Sequence, residues 1–185
     1  RRRDRRTGRR DGARDGRRHS EDRLGTGSPA SITLNVGGNL VFNGTSGSTA
    51  GAIVSAAALV SSVANGGNVT ANVGGTTSIG SGATVDVGSY HGLAGNLAVN
   101  GTGAVTVNGN VYAGPSRTLS TLTGGLLFGG SGLQKGGTIS VKSTTFAEPA
   151  VLIGSNAMLV AQGENSGTGN VSVDGCGIQI KGLVA

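Results

Sequence analysis

The chain has 185 residues, of which 37 are glycine and only 3% are aromatic, with no tryptophan. Glycine usually makes up about 7% of a protein, and compact cores are normally anchored by aromatic side chains that each bury roughly 150–250 Å². This composition argues against an ordinary globular domain. The formal net charge of +6 belongs to residues 1–28, so the body from residue 29 onward is neutral and lacks the basic footprint of a nucleic-acid-binding protein.

Residues 1–28 form a low-complexity segment rich in Arg, Asp and Gly. We expect this segment to be disordered, because its few apolar residues cannot offset the chain entropy lost on folding. A linker, or translation of a GC-rich stretch that is not native coding sequence, explains it better than an RNA-binding arm. Its five acidic residues dilute the positive charge, and it offers no aromatic ring for base stacking.

From Ser31 onward, apolar residues alternate with polar ones in short runs bounded by Gly, Asn, Ser or Thr. This period of two predicts half-buried β-strands. The inward residues are predicted to be Ile32, Leu34 and Val36; Val69, Ala71 and Val73; Val85 and Val87; Leu97 and Val99; Val105 and Val107; Ile139 and Val141; Val151 and Ile153; Val171 and Val173; and Ile178 and Ile180.

Residues 49–67 are rich in alanine and poor in turn-forming residues. The segment is compatible with a helix ending at Asn65-Gly66 or with an irregular excursion, and short strands at Ile53-Val54 and Leu59-Val60 are the competing interpretation. About 15 apolar-biased residues are too few to cross a membrane, which takes roughly 20.

Several short sequences recur along the body. TLNVGG at 33–38 returns as TANVGG at 70–75, GNLVFNGT at 38–45 returns as GNLAVNGT at 95–102, and GNV occurs at 67–69, 109–111 and 169–171. The offsets are near multiples of about 19–21 residues, a size that suits one coil of a solenoid. We therefore predict an all-β, right-handed parallel β-helix over residues 29–185, with coils of about 19–21 residues and with Leu40 and Leu97 at equivalent positions.

The single cysteine, Cys176, cannot form an internal disulfide, and we expect it to be a small buried apolar residue. The chain begins with Arg1 and its only methionine is Met158, so we interpret it as a fragment. No signal peptide is recognisable, because no apolar segment follows the arginines.

Few residues of the body could carry catalysis. Its acids are Asp86, Glu148, Glu164 and Asp174, and its single histidine is His91. Glycoside cleavage needs two carboxylates about 5–10 Å apart, whereas we expect these acids to be solvated at the surface or in turns. A histidine with no nearby Cys, Asp or second His is a poor metal or catalytic candidate. We predict no catalytic, cofactor or metal site.

Two further patterns, one for glycosylation and one for ice binding, give little support for a function. Four Asn-x-Ser/Thr sequences occur, at Asn43, Asn68, Asn100 and Asn170, and the strand-and-turn repeat produces them without any need for glycosylation. Ice binding would need rows of Thr-x-Thr on successive coils, but Thr121-Leu122-Thr123 is the one clear instance.

The segments GGNLVFNG, GGNVTANVGG, GSGATVDVGS, GNLAVNGTGAVTVNG and GGTISVKS together resemble passenger regions of bacterial type V secreted exoproteins. The similarity covers residues 31–182. It is closest to filamentous-haemagglutinin-like proteins of two-partner secretion, and next to autotransporter passengers. The Asn-Pro-Asn secretion signature of that family is absent, so no functional motif transfers residue by residue.

This resemblance implies a long parallel β-helix exposed at a bacterial cell surface or outside the cell and engaged in adhesion. The expected partners are a host-cell glycan or protein surface, and an outer-membrane transporter barrel during secretion. Neither nucleic acid nor a small-molecule substrate is expected. A β-helical polysaccharide lyase or hydrolase is the alternative, since related β-helices cleave pectin-like sugars.

Overall fold

The computed structural model describes residues 30–43, 51–58, 64–89, 92–114, 135–163 and 167–185. These residues form fifteen strands and no helix, and hence no helix that could cross a membrane. In chain order the strands are β1 (Ile32–Val36), β2 (Leu40–Phe42), β3 (Ile53–Ser55), β4 (Val69–Val73), β5 (Thr77–Ile79), β6 (Thr84–Asp86), β7 (Asn96–Gly101), β8 (Val105–Val107), β9 (Asn110–Tyr112), β10 (Thr138–Ser143), β11 (Val151–Ile153), β12 (Met158–Val160), β13 (Asn170–Asp174), β14 (Ile178–Ile180) and β15 (Leu183–Val184).

Every third strand joins the same sheet. Sheet A has the order β1-β4-β7-β10-β13, sheet B the order β2-β5-β8-β11-β14, and sheet C the order β3-β6-β9-β12-β15. All strand pairs within the sheets are parallel. Three consecutive strands therefore make one coil, and five coils stack into a parallel β-helix, as the sequence predicted. Its right-handedness stays a prediction.

Short aliphatic side chains fill the interior. The predicted inward residues of the three middle coils are buried, from Val69 in β4 to Ile153 in β11. Those of β1 and β13 are half-buried, because each of these strands has a neighbouring coil on one side only. Ile178 and Ile180 of the fifth coil share columns with buried Val151 and Ile153, yet remain about half exposed. The buried cluster is thus a narrow stack of aliphatic side chains, with Phe42 packed against it and Tyr112 buried nearby in β9.

The predicted coil length of about 19–21 residues is wrong. Equivalent positions of sheet A are 37 residues apart from β1 to β4, 28 from β4 to β7, and 42 from β7 to β10. The strands themselves are short and regular, and the connections between the sheets account for the difference. Insertions at the corners of a coil cost little because they do not disturb strand pairing. The offsets in the sequence are therefore not multiples of one period.

Of the two longer sequence repeats, one marks equivalent positions in adjacent coils and the other does not. Thr33 and Asn35 pair with Thr70 and Asn72, so the 37-residue repeat marks true equivalence between adjacent coils. Leu40 pairs with Thr77 in sheet B, whereas Leu97 pairs with Val69 in sheet A. The predicted equivalence of Leu40 and Leu97 is wrong, because the same strand-opening residues begin strands of two different sheets.

The alanine-rich stretch supplies a strand and not a helix where it is described. Ile53–Ser55 is β3 and pairs with β6, as the strand interpretation of Ile53-Val54 required. The remainder of that interpretation, Leu59-Val60, lies outside the described residues, as does the whole segment 1–28.

Candidate interaction surface

Sheet A has the longest strands, of five or six residues, and presents a polar outer face. Because strand side chains alternate between two sides, the residues between the inward Val, Ile and Leu point outward. We call them the polar face. It has a hydroxyl column, interrupted by one alanine, of Thr33, Thr70, Ala98, Ser140 and Ser172, and a second column of Asn35, Asn72, Asn100, Lys142 and Asp174.

Asparagine side chains of the second column form a hydrogen-bonded ladder. The Asn72 amide Nδ2 donates to Asn35 Oδ1 at 2.9 Å, and Asn100 Nδ2 donates to Asn72 Oδ1 at 3.0 Å. Each bond runs between adjacent coils in the same direction. The ladder fixes the rotamers of exposed side chains, so the polar face presents an ordered array of amides.

The ladder column ends on a pair of opposite charges. Lys142 Nζ lies 3.2 Å from Asp174 Oδ2, and both side chains are at least half exposed. An exposed pair of this kind contributes at most about 1 kcal/mol. Asp174 is thus a surface acid at the end of a strand, as the sequence predicted.

A second set of asparagines stands one residue before the first apolar residue of three sheet A strands, at Asn68, Asn96 and Asn170. Asn68 Oδ1 accepts hydrogen bonds from the backbone N–H of Asn96 at 2.9 Å and from its Nδ2 at 3.2 Å. Asn96 Oδ1 in turn accepts from the backbone N–H of Thr138 at 3.1 Å. Two of the Asn-x-Ser/Thr positions, Asn68 and Asn100, therefore have a structural role in joining coils.

Asp86 is not the solvated acid that the sequence predicted, because it is 0% exposed. Its direction is as expected, away from inward Val85, but Thr84 on the same outer side is also buried. The backbone N–H of Gly88 donates to Asp86 Oδ1 at 2.7 Å, so the carboxylate closes the turn after β6. The alternation of apolar and polar residues predicted which side of the sheet Asp86 faces. It could not reveal that this side of sheet C is covered.

The other candidate residues do not converge. Glu148 lies in the connection between β10 and β11, as predicted. Glu164, His91 and Thr121-Leu122-Thr123 lie outside the described residues. In the described ranges, no three His, Cys, Asp or Glu residues come together in a way that could hold a metal ion.

Cys176 is exposed, so the prediction that it is buried is wrong. It lies in the turn between β13 and β14, outside the alternating strands whose inward positions are buried. A turn position is not one of the inward strand positions that form the core, and the residue type alone could not indicate this.

Sequence reasoning missed two arrangements. One is the Asn35–Asn72–Asn100 ladder, which the repeat of TLNVGG as TANVGG could have revealed. The other is the approach of Glu148 to Gly177 and Gln179, which line one groove although they lie on different coils. No signal in the sequence links those residues, because the length of each connection decides which segments become neighbours.

No family model matches this sequence, and comparison with curated proteins and with solved structures gives no match. The functional interpretation therefore depends on the residues themselves.

Proposed function

We propose that this chain is a structural and adhesive stalk segment of a secreted bacterial surface protein, similar to filamentous haemagglutinins. The observation that carries the proposal is the polar face, an array of mainly Thr, Ser and Asn side chains that runs across five coils. Adjacent strands are about 4.8 Å apart, so the array offers closely spaced hydrogen-bonding groups. Many weak contacts along a rod add up to firm attachment through avidity.

The proposed partner is a host-cell glycan or protein surface, and the proposed location is the bacterial cell surface or its exterior. Passage through an outer-membrane transporter barrel belongs to the same proposal. The resemblance of the strand-opening segments to type V exoproteins supports both statements. A stacked fold supports them as well, since each coil can add to the one before it without distant elements having to meet.

The opposing function is a β-helical polysaccharide lyase or hydrolase. Such an enzyme stabilises its transition state with several groups preorganised at one place. The three described acids lie on different elements: Asp86 is buried in β6, Asp174 pairs with Lys142, and Glu148 lies in a connection. This arrangement favours the adhesive function over the enzymatic one.

The test compares binding and turnover by the purified protein. We expect retention on host cells or on a glycan array, with no product released from acidic or neutral polysaccharides. Substituting Thr70 and Ser140 with lysine places charges in the polar face and should weaken retention at least severalfold. The matched control is Thr106→Lys, on the outer side of sheet B, which should leave retention unchanged.

Two outcomes would contradict the proposal. Release of sugar products that is abolished by Glu148→Ala would establish the enzyme instead. Retention that falls equally in the Thr106 variant and in the Thr70 and Ser140 variant would show that the polar face has no special part in attachment.

A further inference from the structure

One of the five turns that join sheet A to sheet B is longer than the others. The other four turns have three residues each, as in 102–104 between β7 and β8, whereas β10 and β11 are joined by seven residues, 144–150. We call residues 144–150 the coil-4 loop. Additions to single repeats of a solenoid usually lie on the outside and often form binding surfaces.

Hydrogen bonds hold the beginning of the coil-4 loop in place. Buried Ser143 donates its hydroxyl to the Gly103 carbonyl of the preceding coil at 2.8 Å, and its Oγ accepts from the backbone N–H of Thr145 at 3.3 Å. The Thr145 hydroxyl then accepts from the backbone N–H of Ala147 at 3.3 Å. The loop is thus positioned before any partner arrives, which lowers the entropic cost of binding.

A groove of about 360 Å³ separates the coil-4 loop from the fifth coil, lined by Glu148, Pro149, Gly177, Ile178 and Gln179. This volume falls in the lower part of the usual range for small ligand sites, roughly 300–1,000 Å³. Glycine at position 177 matters here, because a Cβ atom on it would lie only 3.2 Å from Glu148 Cγ. A side chain at that position would push Glu148 aside or fill the groove.

The chemistry of the groove suits a cation on an apolar stem. Glu148 is the only charged residue of its lining, and within the described ranges no hydrogen bond or ion pair reaches its carboxylate. Gln179 also lines the groove, and its amide group carries a second acceptor oxygen, while Ile178 and Pro149 provide apolar walls. An ammonium group has three donors for such acceptors, and its methylene stem packs on apolar surface.

An exposed aromatic side chain lies close by in the sequence. Phe146, in the same loop and two residues before Glu148, is 88% exposed. A ring that gains nothing from burial in the folded chain is available to a partner, and its face attracts cations. A neutral sugar could stack on such a ring but would leave the Glu148 carboxylate without a counter-charge.

We propose that the groove between the coil-4 loop and the fifth coil binds a lysine side chain of a partner protein. Its ammonium group donates hydrogen bonds to the Glu148 carboxylate and to the Gln179 amide oxygen. This proposal rests on the adhesive function proposed above. It specifies one class of adhesion partner, namely proteins with exposed lysine side chains.

The binding test uses the intact, ¹⁵N-labelled protein and two matched probes, Nα-acetyl-lysine methylamide and Nα-acetyl-norleucine methylamide, which lacks the ammonium group. We expect saturable shifts of the Gly177 and Gln179 amide signals with the lysine probe and much weaker ones with norleucine. Glu148→Gln should raise the dissociation constant by up to about fivefold, the upper end of the range for an exposed ion pair. Ser78→Lys changes the net charge by the same one unit on the outer side of sheet B, three coils away from Gln179, and should leave the dissociation constant unchanged.

Several results would overturn the proposal: no shift with lysine, equal affinity for both probes, or equal weakening by Glu148→Gln and Ser78→Lys. Shifts of the same signals by maltotetraose without any by lysine would make the groove a sugar site instead. Host-cell retention separates this failure from that of the adhesive function. A protein that is retained on cells but does not bind lysine refutes the groove alone, whereas a protein that is not retained refutes adhesion.

Discussion

At the scale of single residues, glycine is required where one coil rests directly on the next. Gly67, Gly95 and Gly137 occupy corresponding places just before strands of sheet A. A Cβ atom on Gly95 would clash with the backbone carbonyl of Gly67, and one on Gly137 would clash with that of Gly95. The abundance of glycine therefore reflects, at these positions, close contact between backbones, in addition to freedom in turns.

Substitution of Gly95 by alanine should lower the free energy of unfolding by about 2 kcal/mol, since coils forced apart lose packing and hydrogen bonds. Gly37→Ala is the control, because nothing lies within 4 Å of a Cβ atom there. We expect the control to change stability by less than about 1 kcal/mol. Urea unfolding of both variants measures the difference, and equal midpoints would show that the coils can separate freely at Gly95.

At the scale of elements, the asparagine ladder adds cross-coil bonds to those of the backbone. Asn72 takes part in two ladder hydrogen bonds, as donor to Asn35 and as acceptor from Asn100. Asn35, at one end of the ladder, takes part in one. Such side-chain ladders stabilise parallel, in-register strands, which bring identical residues into line.

Asn72→Ala should therefore cost about twice as much stability as Asn35→Ala, roughly 1 kcal/mol against half of that for exposed hydrogen bonds. Thermal unfolding of the two single variants and of the double variant measures this. The double variant should lose no more than Asn72→Ala alone, because the Asn35–Asn72 bond is already broken. Fully additive losses would mean that the two side chains act independently of the ladder.

At the scale of the whole molecule, stability is distributed along a stack in which each coil contacts only its neighbours. Ile153 and Ile180 occupy the same inward column of sheet B, on the fourth and fifth coils. Ile153 is 0% exposed, whereas Ile180 is 51% exposed because it has a neighbouring coil on one side only. The same residue type thus contributes differently according to its place in the stack.

Ile153→Ala should cost about 2–5 kcal/mol, the range for a large-to-small change in a packed core. Ile180→Ala should cost less than about 1 kcal/mol, since half of that side chain is already in water. Denaturant unfolding of the two variants measures both losses in the free energy of unfolding and hence their ratio. Hydrogen exchange should agree, with faster exchange in β14 than in β8. Similar losses in the two variants would indicate that a further contact covers the fifth coil in solution.

The pattern of amino acids was enough to predict the class of fold and the direction of most side chains. Alternation with period two places Val69, Val99 and Ile139 inward, and the structure buries all three. The repeat of TLNVGG also identified Asn35 and Asn72 as equivalent. These features depend on local backbone geometry, in which successive residues of a strand face opposite sides whatever the rest of the chain does.

The length of each coil, the burial of Asp86 and the proximity of Glu148 to Gln179 are visible only in the folded chain. Connections of different lengths leave strand pairing intact, so the sequence offsets do not reveal the period. A strand pattern states which side of its own sheet a residue faces, but not whether another segment covers that side. Burial and the groove depend on contacts between distant segments, and alternation along a single strand carries no information about those contacts.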